Sequence, residues 1–508
     1  MKITFSGRVL ILGCGSVSRC VQPLILRHFD MDFRKLTVMD FEDLRHLIPE
    51  TLAAGAQYVR DRVTQTNLAD LLGQYVGPGD LLIDLAWNID ANAIIDWCHQ
   101  NDVLYLNTSV EVWDPYEDAG AVSPLDRTLY VRHLRLRKLR ESYATPGVTA
   151  VVEHGANPGL VSHWTKVALV DIATAMLGQN LPGDAAQRTA LGRALGDERY
   201  PEIAQRTGVK VIHISERDTQ ISDRPKEVDE FVNTWSVAGF HEEGIAPAEM
   251  GWGTHEKKLP ANAYVHTYGP GNQICLAQMG VNTYVRSWVP EAGEIVGMVV
   301  RHGEAFTICD HLTVWEDGEY GRRPVYRPTV HYAYLPTDAA IASMHELKMR
   351  NYDLQPRQRI MNDEIVSGKD ELGVLLLGHG LNGWWTGSQL DIHEARALVP
   401  GQSATTLQVA ASILGAVAWM IKNPNRGICV PDDLPHREVL ACRIARCWPS
   451  RIRISARRHR CRPIGRRSRT ASTRLRSGTP PGARQMTTSG SSRPSRPGER
   501  PCAGRLTL

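Results

Sequence analysis

The run Val9-Leu10-Ile11-Leu12 leads directly into Gly13-Cys14-Gly15-Ser16-Val17-Ser18 and then into a helical stretch, CVQPLILRHF. This order constrains the fold more than any other feature of the chain. Gly13 permits a tight turn, and Gly15 lets the backbone approach a pyrophosphate that then rests on the free amides of a helix N-terminus. Ser18 stands where a third glycine is usual and is small enough for close packing. A second β-type run, Leu36 to Met39, ends in Asp40, whose carboxylate can accept from a ribose 2′-hydroxyl and repels a 2′-phosphate. NAD is therefore expected rather than NADP, at Gly13, Gly15, Ser16, Val17, Ser18 and Asp40. Two further short runs, LLIDLAW and VLYLNTS, alternate with helical stretches, as in a parallel sheet buried on both faces.

The expected fold class is α/β: an N-terminal Rossmann-type parallel sheet plus a mixed α+β substrate domain. The boundaries expected are 1–155 for the nucleotide domain and 156–390 for the substrate and dimerisation domain, where strand-like KVIHIS and EIVGMVV are separated by turns such as Tyr268-Gly-Pro-Gly271. Residues 391–440 read as helices that pack back on the nucleotide domain. Ala404 to Ile421 approaches membrane length, but Thr405, Thr406, Gln408, Ser412 and Gly415 interrupt it, so it reads as a buried helix and no membrane is expected. No HExxH, GxSxG or Walker motif competes for the chemistry, and no metal is expected.

Charge divides the chain unevenly. Residues 441–508 hold 18 Arg, no Lys and a single acid, Glu499, a net charge of +17, so the preceding body carries −14 of the overall +3. An acidic body favours cationic partners over nucleic acid. The tail has no hydrophobic period, and its Arg, Ser, Pro and Gly bias cannot bury a core, so disorder is expected. The absence of Lys beside so many Arg reads as a slipped reading frame rather than a nucleic-acid-binding arm. The ten cysteines show no CxxC and no paired spacing, which argues for reduced thiols and a cytoplasmic location.

A set of phrases rich in carboxylates and aromatic rings remains: Val110-Glu111-Val112-Trp113, Gly155-Ala156-Asn157-Pro158-Gly159, Ser215-Glu216-Arg217-Asp218, Asn233-Thr234-Trp235-Ser236, His241-Glu242-Glu243-Gly244, His302-Gly303-Glu304 and Lys369-Asp370-Glu371-Leu372-Gly373. With HISERDTQ, FVNTWSV, GWGTHE, RPTVHYAY and DELGVLL, they closely resemble the bacterial homospermidine synthase family of the saccharopine dehydrogenase-like group. The resemblance runs from about Val9 to Leu440 and stops where the basic tail begins.

The resemblance implies a homodimeric transferase that uses NAD twice. Putrescine is oxidised beside one amine, ammonia is lost, a second putrescine or spermidine condenses, and the imine is reduced by the same NADH. Glu216 and Asp370 would grip amines and move their protons, and Glu243 and Glu111 would sit toward the entrance and the inner end. Trp235 would face the substrate for cation–π attraction, Asn157 would accept from an amine, and His302 with Glu304 would form a relay. Physical chemistry makes matching demands. A diamine is doubly cationic, so one ammonium needs a carboxylate, while the reacting amine must give up a proton held with a pKa of about 10.4. The alternatives are a saccharopine or carboxynorspermidine dehydrogenase, whose carboxylated substrates would need several Arg or Lys in the pocket, or a catalytically impaired relative.

Overall fold

The computed structural model describes residues 2–115, 122–318 and 321–441; apart from Ala441, the basic tail expected to be disordered lies outside the described residues. In the N-terminal part, six strands form a parallel sheet: β1 (Val9–Leu12), β2 (Leu36–Asp40), β3 (Gln57–Arg60), β4 (Leu81–Asp84), β5 (Leu104–Asn107) and β6 (Ala150–Val151). Their spatial order is β3-β2-β1-β4-β5-β6, the Rossmann arrangement. VLIL, LLID and LYLN are buried along their whole length because apolar clusters cover both faces of the sheet. Chain order reverses between β1 and β4, which opens a crevice beyond their carboxyl ends. Helix α1 (Ser16–His28) begins at that crevice. Helix α2 (Leu129–Ser142), capped by the Thr128 side chain, and α3 (Leu160–Gly178) lead into the second region.

That second region is built on a mixed sheet of nine strands. In chain order these are β7 (Val211–Asp218), β8 (Pro247–Gly251), β9 (Ala263–Val265), β10 (Gln273–Met279), β11 (Tyr284–Val289), β12 (Gly293–Met298), β13 (Thr329–Leu335), β14 (Lys369–Leu377) and β15 (Trp384–Asp391). The central strand β7 runs parallel to β13 and antiparallel to β14. Register sets Glu216 beside Tyr334 on one side and Leu372 on the other, and Asp218 beside Asp370. Side chains alternate along a strand, so Ile212, Ile214, Glu216 and Asp218 share a face with Tyr332, Tyr334 and Asp370. The apolar end of that face packs in one cluster with Val161, Leu169 and Ile172 of α3, leaving the carboxylates at the other end. Helices α4 (Val237–Ile245) and α5 (Glu304–His311) flank this sheet.

The chain then returns to the nucleotide domain. Helix α6 (Ala404–Lys422) starts at a capping box between Ser403 and Thr406 and packs on α1. Its Leu407, Ile413, Leu414 and Val417 join the cluster under β1 and β2, each contributing about 1.5–3 kcal/mol by burial. Both α3 and α6 are long and apolar enough to cross a membrane, yet most of each is buried in the protein core. Past α6, β16 (Ile428–Cys429) pairs in parallel with β6 and adds a seventh strand to the Rossmann sheet. The nucleotide domain is thus completed by residues almost 280 positions after β6, a pairing that no local pattern announces.

Candidate active site

One cavity of about 570 Å³ runs from the glycine turn after β1 to the carboxylate end of the second sheet. Gly13, Gly15, Ser16, Val17, Ser18 and Asp40 all line it. Gly13 has φ +87°, and a Cβ there would come within 2.8 Å of the Leu85 carbonyl oxygen, so only glycine suits the turn. A Cβ on Gly15 would meet nothing within 4 Å, and no side chain caps α1, whose first-turn amides are left for a ligand. The loop therefore fits a dinucleotide pyrophosphate. Asp40 has a local task as well: Oδ2 accepts from the Cys14 amide at 2.7 Å and Oδ1 from the Glu42 amide at 3.0 Å. A carboxylate offers about four lone-pair sites, so it retains capacity for ribose hydroxyls. Arg62 lines the same end, its guanidinium 4.4 Å from the Phe41 ring centroid.

At the other end three carboxylates, Glu216, Asp218 and Asp370, are all buried. Glu216 Oε2 accepts from the Tyr332 hydroxyl and, at 3.4 Å, from Asn157 Nδ2. Asn157 is presented by a tight loop in which Gly155 bridges Gly159, and a Cβ on Gly159 would overlap the Gly155 carbonyl. Burial raises the proton affinity of Glu216; the Tyr332 hydrogen bond opposes this and the charge of Asp218 adds to it. Asp370 is likewise held well above the usual carboxylate range, by burial and then by the charges of Glu216 and Asp218. Asp370 Oδ2 accepts from Thr405 Oγ1 at 2.9 Å, whereas Oδ1 is buried without a hydrogen-bond partner among the described residues. Asp218 lies behind them, held by the Gln220 amide at 2.9 Å and the Thr234 hydroxyl at 2.7 Å. Trp235 lines the cavity, with its indole Nε1 donating to the Tyr334 hydroxyl at 3.0 Å, which fixes the plane of the ring.

His302 sits between two carboxylates, Nε2 at 3.0 Å from Glu243 and Nδ1 at 3.3 Å from Glu304. Burial by itself would strip the proton from this imidazole; Glu304 and Glu243 more than reverse that and hold it cationic well above its usual range. Burial raises the proton affinity of Glu243, with His302 opposing and Glu111 and Glu304 adding. Glu111 therefore lies near enough to act on Glu243, so the entrance and the inner end expected for them are not electrostatically separate. Its Oε1 accepts from Ser109 at 2.7 Å, and its Oε2 is buried without a hydrogen-bond partner among the described residues. Glu304 does not line the cavity: fully buried, it is paired with His302, which does.

Glu111, Asn157, Glu216, Trp235, Glu243, His302 and Asp370 thus share one cavity, from phrases spread over about 260 residues. Several further residues line it without having been expected there. Tyr332 lies in the quoted RPTVHYAY, and Thr405 and Gln408 are visible in the sequence as polar breaks in an apolar helix. Arg132 and Arg301 line it as well, in addition to the Glu and Asp that the quoted phrases supply. Both guanidiniums converge on Glu242, Arg132 at 2.9 Å, and each also donates to a backbone carbonyl, of Val110 and Arg127 respectively. Glu153 completes that corner, paired with His133 at 2.9 Å.

Comparison with known proteins agrees with this geometry. Residues 9–151 match the saccharopine dehydrogenase NADP binding domain and residues 155–444 the saccharopine dehydrogenase C-terminal domain. The chain is 42% identical to a homospermidine synthase of Blastochloris viridis, over 85% of this chain and 88% of the relative. It is 40% identical to one of Mesorhizobium japonicum, over 86% and 87%. A crystal structure of the homospermidine synthase of Legionella pneumophila in complex with NAD superposes with a TM-score of 0.76 at 35% identity, covering 88% of this chain and 90% of that one. The chain belongs to the homospermidine synthase family. The homospermidine synthase fold accounts for the division of labour in the cavity, a nucleotide domain at one end and a carboxylate-rich sheet at the other. The family-domain match ends at residue 444, close to where the composition turns basic.

Proposed function

We propose that the chain condenses two putrescine molecules, or putrescine with spermidine, into homospermidine-type products with loss of ammonia and no net oxidation. The observation that carries this reading is the buried Asp370 Oδ1, without a hydrogen-bond partner among the described residues, on a residue lining a cavity that begins at the glycine loop of a dinucleotide site. A buried acceptor of that kind calls for a donor-rich cation. NAD, which Gly13 to Ser18 and Asp40 would hold, supplies the oxidation of a carbon beside an amine and the later reduction of the imine at the same place.

The chain's own residues bind, orient and move protons. Glu216 and Asp370 receive the diamine: their raised proton affinities let them take a proton from an ammonium that must become a neutral amine. Tyr332 and Asn157 orient Glu216. Trp235 turns its π face to the cationic imine, which an indole stabilises by about 0.5–2 kcal/mol without a carboxylate that would trap it. His302, kept charged by Glu304, holds Glu243 and offers a proton to the departing amine. Arg132 and Arg301 share Glu242 and stay committed to it, so they do not recruit the carboxylated substrate that the dehydrogenase alternative would need. We further read the enzyme as a cytoplasmic homodimer. All six cysteines among the described residues are unpaired, in keeping with reduced thiols, and light scattering in dilute solution tests the dimer.

The deciding experiment supplies putrescine and NAD with no reductant. Homospermidine and ammonia in equal amounts, without steady accumulation of NADH, are expected. NADH rising in step with putrescine consumed would make the protein a simple dehydrogenase.

A further inference from the structure

Gln408, on α6, is fully buried and lines the cavity. Its Nε2 donates to the backbone carbonyl oxygen of Asp370 at 3.1 Å. A carbonyl only accepts, so this bond determines which end of the amide is which. The opposite end, Oε1, is buried and meets no donor among the described residues. Asp370 Oδ1 is in the same condition, while Asp370 Oδ2 is occupied by Thr405. One residue thus carries an unsatisfied carboxyl oxygen, and the side chain that grips its backbone carries an unsatisfied amide oxygen. Both residues line the cavity, as does Glu216.

A buried acceptor without a donor is costly to leave so, and two of them on residues joined by a hydrogen bond describe a site shaped for a group that donates several hydrogen bonds. A primary ammonium has three N–H donors. A secondary ammonium has two and brings an alkyl group against polar oxygens. The amide is also better suited than another acid, because Asp218 already raises the proton affinity of Glu216, and Glu216 and Asp218 that of Asp370, and a fourth carboxyl would add to that repulsion.

We infer that Gln408 is a substrate-binding residue which, with Asp370, seats a terminal primary ammonium of the diamine and discriminates against N-alkylated amines. The inference rests on the polyamine reading above and adds to it the residue and the chemical feature that is read. A secondary ammonium still has one donor for each of the two oxygens, so the selectivity comes from its alkyl group, which takes the place of the third N–H and is set against polar surroundings.

The test compares putrescine as substrate with N,N′-dimethyl-1,4-diaminobutane as competitive inhibitor, in the NAD-loaded protein. In the unaltered protein the dimethyl compound should bind at least about tenfold more weakly than putrescine. Gln408→Met, similar in length and without an acceptor, should raise KM for putrescine about tenfold and leave the dimethyl compound nearly unaffected, so the ratio collapses toward one. Gln408→Glu restores an oxygen and should recover part of the discrimination. NAD affinity and melting temperature report on folding. A ratio unchanged in Gln408→Met overturns the inference. If that variant does not fold, a ratio near one in the unaltered protein overturns it as well. Absence of any putrescine turnover in the unaltered protein would instead refute the polyamine reading.

Discussion

The two ends of the cavity are made from different materials. At the nucleotide end the ligand-facing groups are mostly backbone: a glycine turn, the open amides of α1 and one carboxylate that also braces the loop. At the amine end they are side chains from β7, β13, β14, α4 and α6, brought together from distant parts of the chain. Backbone sites tolerate exchange of most side chains around them, whereas a buried cluster of ionisable groups is sensitive to each member. Substitutions at the amine end should therefore abolish chemistry and spare NAD binding, and those at the nucleotide end should do the reverse.

The largest effect is expected from Glu216→Gln, which keeps the shape and removes the charge. Putrescine turnover should fall about 100-fold or more, in line with about 2–5 kcal/mol for truncating a buried charged partner, while the NAD dissociation constant changes less than about twofold. A parallel loss of NAD affinity would mean that the two ends are not separable. Next comes Trp235→Ala, with a loss of about tenfold in kcat and Trp235→Phe retaining more, since a phenyl ring preserves part of the cation–π attraction. Equal loss in both variants would assign the indole to its hydrogen bond with Tyr334 instead.

At the nucleotide end, Asp40→Ala should relax the preference for NAD severalfold, because Arg62 is left to meet a 2′-phosphate once the carboxylate is gone. Dinucleotide-binding titrations report the ratio, and equal affinity of the unaltered protein for NAD and NADP would show that Asp40 does not discriminate.

Stability against pH sharpens the contrast further. The ordinary glutamate carboxyl, as in the unfolded chain, titrates near 4.5, and burial pushes that of Glu216 up to about 8 in the fold. Between the two values the folded state holds the extra proton. The stabilisation is complete below the unfolded value and is lost as pH rises through the folded one, at about 1.4 kcal/mol for each pH unit between them. The substrate-free protein should therefore lose melting temperature from about pH 5 to about pH 8. Glu216→Gln should flatten that slope, and putrescine should restore the loss. An identical slope in the variant would place the titration elsewhere. The smallest effect is expected from truncation at residue 441, which should leave activity and melting temperature unchanged; a marked drop in either would show that the basic tail contributes to the fold.

The nucleotide end is readable residue by residue, since strand, turn, helix and the acid ending the next strand lie within about thirty positions and obey local rules. The amine end is readable only through resemblance. Nothing near Glu216 in sequence announces that Asp370 will approach it; that follows from the antiparallel register of β14 against β7. Asp218 was not expected in the cluster, although it shares a phrase with Glu216 and a period of two puts both on one face. Glu304 was expected in a relay with His302; α5 buries it beside that imidazole, and no local pattern tells which of the two lines the cavity.

By itself the sequence determined the alternation of strands and helices, the glycine loop and its cofactor class, the acidic body and the break at the basic tail. These depend on neighbours in the chain and on composition, where short-range sterics and charge suffice. Only the tertiary structure decided that residues 428–429 complete the Rossmann sheet, that α6 turns Thr405 and Gln408 onto Asp370, and that two arginines enter the cavity already bound to Glu242. Each of these depends on which surfaces meet when two apolar clusters close on one another, and burial then sets the charge states of the groups trapped between them.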